Sequence, residues 1–179
     1  KHELKEASRL GPNKDDDKEG RVLNRIVRWT EGGLEYEGDP RHVERLLLEL
    51  GLSGSKPVST PGVKPSMEQH HADEALPDSK VTHFRGLAAM SNYLSADRPD
   101  CQFSAKEVCR FMAKPTRLSV EGLKRLGRYL CGQRRLVYMY RWQDQVDAVD
   151  VYVDTDHAGC LRTRKSTSGG CVMLGAHLL

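Results

Sequence analysis

The apolar residues of this chain change their spacing at Cys131-Gly132, and that change limits what the chain can fold into. Before it, long stretches repeat at three and four residues, the period of one helix face. After it, Leu136, Tyr138 and Tyr140 alternate with Val137 and Met139. Further on, Val149, Val151 and Val153 alternate with Asp150, Tyr152, Asp154 and Asp156. A period of two is that of a strand, so the chain is expected to be α+β.

The remaining elements follow from local chemistry. The charged opening ends in a Gly/Pro/Asn/Asp cluster, which predicts an exposed loop over Pro12–Gly20. In RVLNRIVRWTEGGLEYEGD, residues 22–29 alternate and Glu31-Gly32-Gly33 punctuates before Leu34 and Tyr36, the pattern of a β-hairpin. DPRHVERLLLELGL predicts a helix: Asp39 caps it, Pro40 suits its first position, Val43, Leu46, Leu47 and Leu50 form one stripe, and Gly51 stops it. Ser53–Lys80 carries four prolines and few apolar residues, and reads as a linker or a meandering surface segment.

Three helices are then expected. The first carries Phe84, Leu87, Ala88 and Leu94 on one side. The second, capped by Asp100, runs through Met112 and buries Phe103, Val108, Phe111 and Met112. The third starts at Pro115-Thr116 with Val120, Leu123, Leu126 and Leu130 inward and Lys124, Arg125 and Arg128 elsewhere. The strand ending at Asp154–Asp156 leads through a hairpin-like loop at 161–168 into Gly169-Gly170 and the apolar CVMLG.

Charge distribution says more than charge. The formal net charge is only +3, but residues 101–142 hold ten basic residues against Glu107 and Glu121, a net of +8. Such a face is either solvated surface or a track for phosphates. Lys124, Arg125, Arg128, Arg134 and Arg135, with Arg162, Arg164 and Lys165 in the later turn, are therefore the candidate nucleic-acid contacts. The five cysteines are odd in number and lack a CxxC pair, which fits reduced intracellular thiols and neither a disulfide frame nor a zinc site. No apolar run reaches the ~18 residues of a membrane span, and Lys1–Leu10 lacks a signal's apolar centre, so an intracellular protein without a membrane partner is expected. His42 with Glu44, and His70-His71 with Asp73-Glu74, read as surface groups.

Asp154 and Asp156 are two residues apart on a strand, so they can present both carboxylates to one side. Magnesium takes hard oxygen ligands, and two-metal phosphoryl chemistry needs carboxylates from several elements. Aspartate also ends strands and builds turns. Spacing alone leaves both readings open.

YVDTDHAGCLRTRKSTSGG resembles the opening of the ribonuclease H domain of copia-type (Ty1/copia) retrotransposon Pol polyproteins. HFRGLAAMSNYLSADRPD, RFMAKPT and LKRLGRYLCG are similar to the helical stretch ahead of that domain. LLLELGLSGSKPVSTP looks like the segment that follows the polymerase active site in the same family. The resemblance implies that Asp154 is the first catalytic, metal-binding Asp, with Asp156 in the same motif. Cys160 stands where relatives often carry an acid, and His157 where they carry a Trp. The polymerase motif, an aromatic-x-Asp-Asp, is absent: Asp15-Asp16-Asp17 follows Lys14 without the aromatic.

The implied layout is an end of the reverse transcriptase palm at 1–61, a linker at 62–82, a helical, basic thumb- or connection-like region at 83–142, and the first strands of a truncated ribonuclease H-like mixed sheet at 146–179. The implied parent chemistry is RNA-directed DNA synthesis and Mg2+-dependent cleavage of RNA–DNA hybrids. Its partners are the hybrid, or other nucleic acid, and the rest of the Pol polyprotein. For this chain by itself the expectation is incomplete active sites and no tightly held Mg2+. The alternatives are a non-enzymatic nucleic-acid-binding module and a decayed relic without a function of its own.

Overall fold

The computed structural model describes residues 9–179. The opening Lys1–Ser8, read above as charged, lies outside them. The described residues form two compact units: Glu37–Leu136, and the residues up to Tyr36 together with Val137–Leu179.

Glu37–Leu136 is helical, with α1 (Arg41–Glu49), α2 (Met67–His71), α3 (Asp78–Ser95), α4 (Pro99–Cys109) and α5 (Arg117–Gly132). Helix α1 starts where Asp39 accepts a hydrogen bond from the Arg41 amide at 3.0 Å, and it stops at Gly51, whose φ is +65°. Helix α5 starts in a capping box, Thr116 with Ser119. The core gathers Val43, Leu46 and Leu47 of α1, Phe84, Leu87 and Ala88 of α3, Cys101, Ala105 and Val108 of α4, and Leu123, Leu126 and Leu130 of α5. The helical period therefore identified most of the buried face. Gly127 matters to this packing, because a Cβ there would lie 2.7–2.8 Å from methyl groups of Leu50 and Leu52.

Three readings change here. Phe103 is 63% exposed beneath the Lys106 ammonium, since the inward stripe of α4 runs through Cys101, Ala105 and Val108. Asp100 is inside α4 and makes no cap: its oxygens accept from Arg98 at 2.7 and 3.0 Å and from the Tyr129 hydroxyl at 2.9 Å. A bidentate guanidinium is a stronger partner than a helix-end amide. Helix α3 begins at Asp78, so its first turn and all of α2 fall within the 62–82 stretch expected as a linker. That stretch is tied to the start of α5 through Leu76 N to Pro115 O at 2.8 Å and Leu118 N to Asp73 at 3.1 Å. Residues 52–62 lie as an irregular strap on α5, in line with the surface-segment reading.

The second unit holds two sheets. Strands β1 (Glu19–Val22), β2 (Arg25–Thr30), β3 (Gly33–Glu37) and β4 (Val137–Arg141) pair in that order. The alternation at 22–29 predicted one strand, but Leu23 and Asn24 have φ of 50° and 66° and turn the chain between β1 and β2. Paired positive φ values are those of a tight hairpin turn. Gly33 approaches β4 so closely that a Cβ would meet the Tyr140 carbonyl, and the rings of Trp29–Trp142 and Tyr36–Tyr138 meet at a tilt across the sheet, 6.5 and 6.2 Å apart.

Strands β5 (Val149–Thr155), β6 (Ser168–Leu174) and β7 (His177–Leu178) form the other sheet, with Asp154 opposite Gly169. Its described pairings are antiparallel, where a mixed sheet was expected, because hairpin connections produce antiparallel neighbours. Every residue of β5 is exposed, the valines included. The expected amphipathic strand has its alternation but no covered face.

One contact closes the helical unit where the chain enters and leaves it. The Glu37 carboxylate, 2% exposed, accepts two hydrogen bonds from Arg135, at 2.5 and 2.7 Å. Removing one partner of such a pair strands a buried charge. Arg135→Ala is expected to cost roughly 3 kcal/mol, the low end for a buried pair because the guanidinium is largely exposed. Glu37→Gln with Arg135→Ala together should cost less than Arg135→Ala alone. Urea unfolding of the three chains checks this.

Candidate functional site

The predicted site residues fall in two places, one in each unit. In the sheet unit, β5 carries Asp154 on the same face as Asp150 and Tyr152, and the Asp154 carboxylate is exposed. Asp156 is one residue beyond the strand. Its amide donates to the Thr167 carbonyl at 3.1 Å and its Oδ1 accepts from the Thr167 amide at 2.5 Å. The turn is completed by Ala158 N to Ser166 Oγ at 3.0 Å, Arg164 N to Cys160 O at 2.8 Å and Cys160 N to Lys165 O at 3.2 Å. Asp156 thus closes the turn, and the exposed Arg162, Arg164 and Lys165 ride on it.

Magnesium requires several converging oxygens. Among the described residues no three His, Cys, Asp or Glu side chains gather in this way. Asp154 offers a free-standing carboxylate, whereas one oxygen of Asp156 is committed to Thr167. The residues described do not by themselves fit a magnesium site.

In the helical unit the basic residues of α5 and its exit are engaged with the chain itself. Lys124 is exposed on α5. Arg125 donates to the Thr60 hydroxyl at 2.7 Å, Arg128 to the Lys56 carbonyl at 3.0 Å and Arg134 to the Ser53 carbonyl at 3.1 Å. Arg135 holds Glu37. Elsewhere in the basic stretch, Lys106 and Arg110 meet Glu107, and Arg117 meets Glu74. The net +8 is therefore partly neutralised by local pairing. What remains is a ridge of guanidiniums whose hydrogen-bond acceptors are mostly neutral.

The sequence reading gave Ser53–Lys80 as a linker or surface segment but not the contacts of its first ten residues with α5. Their signal was available in the glycines of a helix that needs none: Gly127 admits Leu50 and Leu52, and a Cβ on Gly132 would lie 3.0 Å from Pro57.

The titratable groups with altered chemistry sit in the helical unit. The hydrogen bond from the Arg41 guanidinium holds the Asp39 carboxyl down at about 2. Burial pushes Asp100 up, but hydrogen bonds from Arg98 and Tyr129 outweigh it and leave the carboxyl below its ordinary value. Burial pushes the Cys101 thiol up to about 12 and raises Cys109 as well, so these are packing thiols and poor nucleophiles. His42 lies 3.8 Å from Asp39 and 4.8 Å, edge on, from the Tyr93 ring, a surface contact as expected.

With an α+β chain, a basic helical unit and an exposed Asp-x-Asp hairpin in view, the relatives can be placed. The chain is 30% identical over 141 residues to the uncharacterized mitochondrial protein AtMg00810 of Arabidopsis thaliana, covering 78% of this chain and 56% of that protein. It is 31% identical over 137 residues to the retrovirus-related Pol polyprotein from transposon RE2 of the same plant, covering 76% and 9%. To the Pol polyprotein from transposon TNT 1-94 of Nicotiana tabacum it is 26% identical over 150 residues, covering 81% and 11%. Its relatives are thus copia-type retrotransposon Pol polyproteins and the mitochondrial protein, at 26–31% identity over most of this chain. It spans about half the length of the mitochondrial relative and about a tenth of the polyproteins. No protein-family model and no solved structure matches it.

Asp39 supplies an acid dependence whose direction is fixed. A carboxyl held at about 2 when folded, against 3.8 ordinarily, stabilises the fold fully above pH 4 and loses that contribution as the pH falls from about 4 to 2. Thermal unfolding is expected to show this fall, and Asp39→Asn is expected to flatten it while lowering stability at neutral pH.

Proposed function

We propose that this chain is the part of a copia-type Pol polyprotein that joins the end of the reverse transcriptase to the start of the ribonuclease H domain. In this reading 1–61 derives from the palm, 62–82 connects, 83–142 is thumb- or connection-like, and 146–179 begins the ribonuclease H-like domain. One observation carries it: the three motif blocks quoted above follow polyprotein order, and relatives named as Pol polyproteins align over 76–81% of the chain.

The role assigned to the chain is to hold nucleic acid and the rest of the polyprotein, without catalysis of its own. Lys124 and the turn residues Arg162, Arg164 and Lys165 are exposed and meet phosphates, and Arg125, Arg128, Arg134 and Arg135 add positive charge within the helical unit. Asp154 is the catalytic aspartate of the complete domain and supplies one hard oxygen. Mg2+ would be held there only if further carboxylates joined Asp154. Asp156 supports that ligand by fixing the turn. The reading puts the protein inside the cell, and no described helix is long and apolar enough to cross a membrane.

A second reading, a non-enzymatic nucleic-acid-binding module, is favoured by the commitment of Asp156 to Thr167. The two readings share their first test. A labelled RNA–DNA hybrid is expected to bind the full chain with an affinity that falls about 100-fold between 50 and 200 mM salt if four phosphates are met. Cleavage is expected neither with Mg2+ nor with EDTA. Mg2+-dependent cleavage that disappears in Asp154→Asn would overturn the non-catalytic assignment, and absence of binding at the lower salt would remove the nucleic-acid role.

A further inference from the structure

Arg125 and Arg128 of α5, and Arg134 just beyond it, each donate one hydrogen bond to an earlier segment of the same chain. Ser53–Gly62 runs antiparallel to α5: Ser53 meets Arg134, Lys56 meets Arg128, and Thr60 meets Arg125. Pro57 sits over Gly132, and at its far end Gly62 lies beside Ser104 of α4. Between Leu52 and Gly62 the strap holds one basic residue, Lys56, and no acid. Its hold on the arginines therefore uses only neutral acceptors, two carbonyls and one hydroxyl. The positive potential of α5 remains and still attracts polyanions, while the strap engages one donor of each arginine and leaves the buried Arg125 Nε without an acceptor.

The strap is also weakly fastened to the helix backbone. It has no helix or strand of its own, and the Val58 amide reaches the Arg128 carbonyl at 3.4 Å. An anionic phosphate adds to the guanidinium hydrogen bond a charge attraction that a carbonyl or hydroxyl lacks, and it accepts two parallel N–H bonds where the strap accepts one. A phosphate backbone laid along Arg125, Arg128 and Arg134 thus outcompetes the strap for the same donors.

We propose that Ser53–Gly62 is a displaceable cover over a phosphate-binding face of α5, and that nucleic acid takes this face by lifting it. The partner is a nucleic-acid backbone, so the inference rests on the nucleic-acid reading above and adds where the phosphates go and what must move. The opening is a geometric competition that needs no chemical step.

Hydrogen exchange on the full chain, with and without an RNA–DNA hybrid at low salt, tests it beside Thr60→Val, which keeps the side-chain shape and removes the acceptor. Thr60→Val is expected to speed exchange at the Val58 amide without nucleic acid and to bind the hybrid about fivefold tighter, the effect of one neutral hydrogen bond. In the unaltered chain the hybrid is expected to speed exchange at Ser55 and Val58 while Leu126 is unchanged. Hybrid binding that leaves the strap amides as protected as before, or that Thr60→Val does not alter, overturns the cover and leaves the nucleic-acid reading standing. No faster Val58 exchange in free Thr60→Val overturns the fastening by Arg125. If neither chain binds the hybrid at low salt, the nucleic-acid reading fails and the cover fails with it.

Discussion

The helical unit depends on one ion pair at its mouth. Glu37 and Arg135 lie 98 residues apart in sequence, one where the chain enters the unit and the other where it leaves. A carboxylate this deeply buried is tolerable only with its two oxygens satisfied, and the planar fork of Arg135 satisfies both. Lysine could not do so, because it offers a point charge instead of a matched pair of donors. Around that closure α1 packs against α3 and α5, so the first helix of the unit is held by elements that come thirty or more residues later.

A second polar knot organises the interior. Arg98 is 4% exposed and holds Asp100 with two hydrogen bonds, while Tyr129 of α5 donates to the same carboxylate. Three side chains from the α3–α4 turn, α4 and α5 thereby fix the angle at which these helices meet, beside the fully buried Cys101. The stretch SADRPD, legible from sequence only as a helix break, is thus the place where the helices are tied to one another.

Local signals in the sequence were read well and long-range ones poorly, for physical reasons. The apolar stripes, Gly51 and the Thr116 start are decided by neighbours within a few residues. The Leu23–Asn24 turn lacked a glycine to mark it, so the alternation ran through it. Asp100 carries a good capping side chain, yet the choice between amide and guanidinium was settled by Arg98 and Tyr129. The site was half legible: Asp154 stands exposed on its strand, whereas the bond from Thr167 to Asp156 depends on how a twelve-residue connection folds back. The α5 arginines showed their charge but not their acceptors, which lie 65 to 81 residues earlier.

The pairing of β3 with β4 has a consequence for the order in which the molecule can assemble. Those neighbouring strands are separated by the hundred residues of Glu37–Leu136. Closing such a loop from an open chain costs about 4 kcal/mol, apart from a constant, before any strand contact rewards it. A folded helical unit, its two ends already clasped, reduces that search to joining adjacent segments. The pairing of β4 is therefore favoured downstream of the helices: β1, β2 and β3 leave the ribosome before the insertion, and β4 follows it.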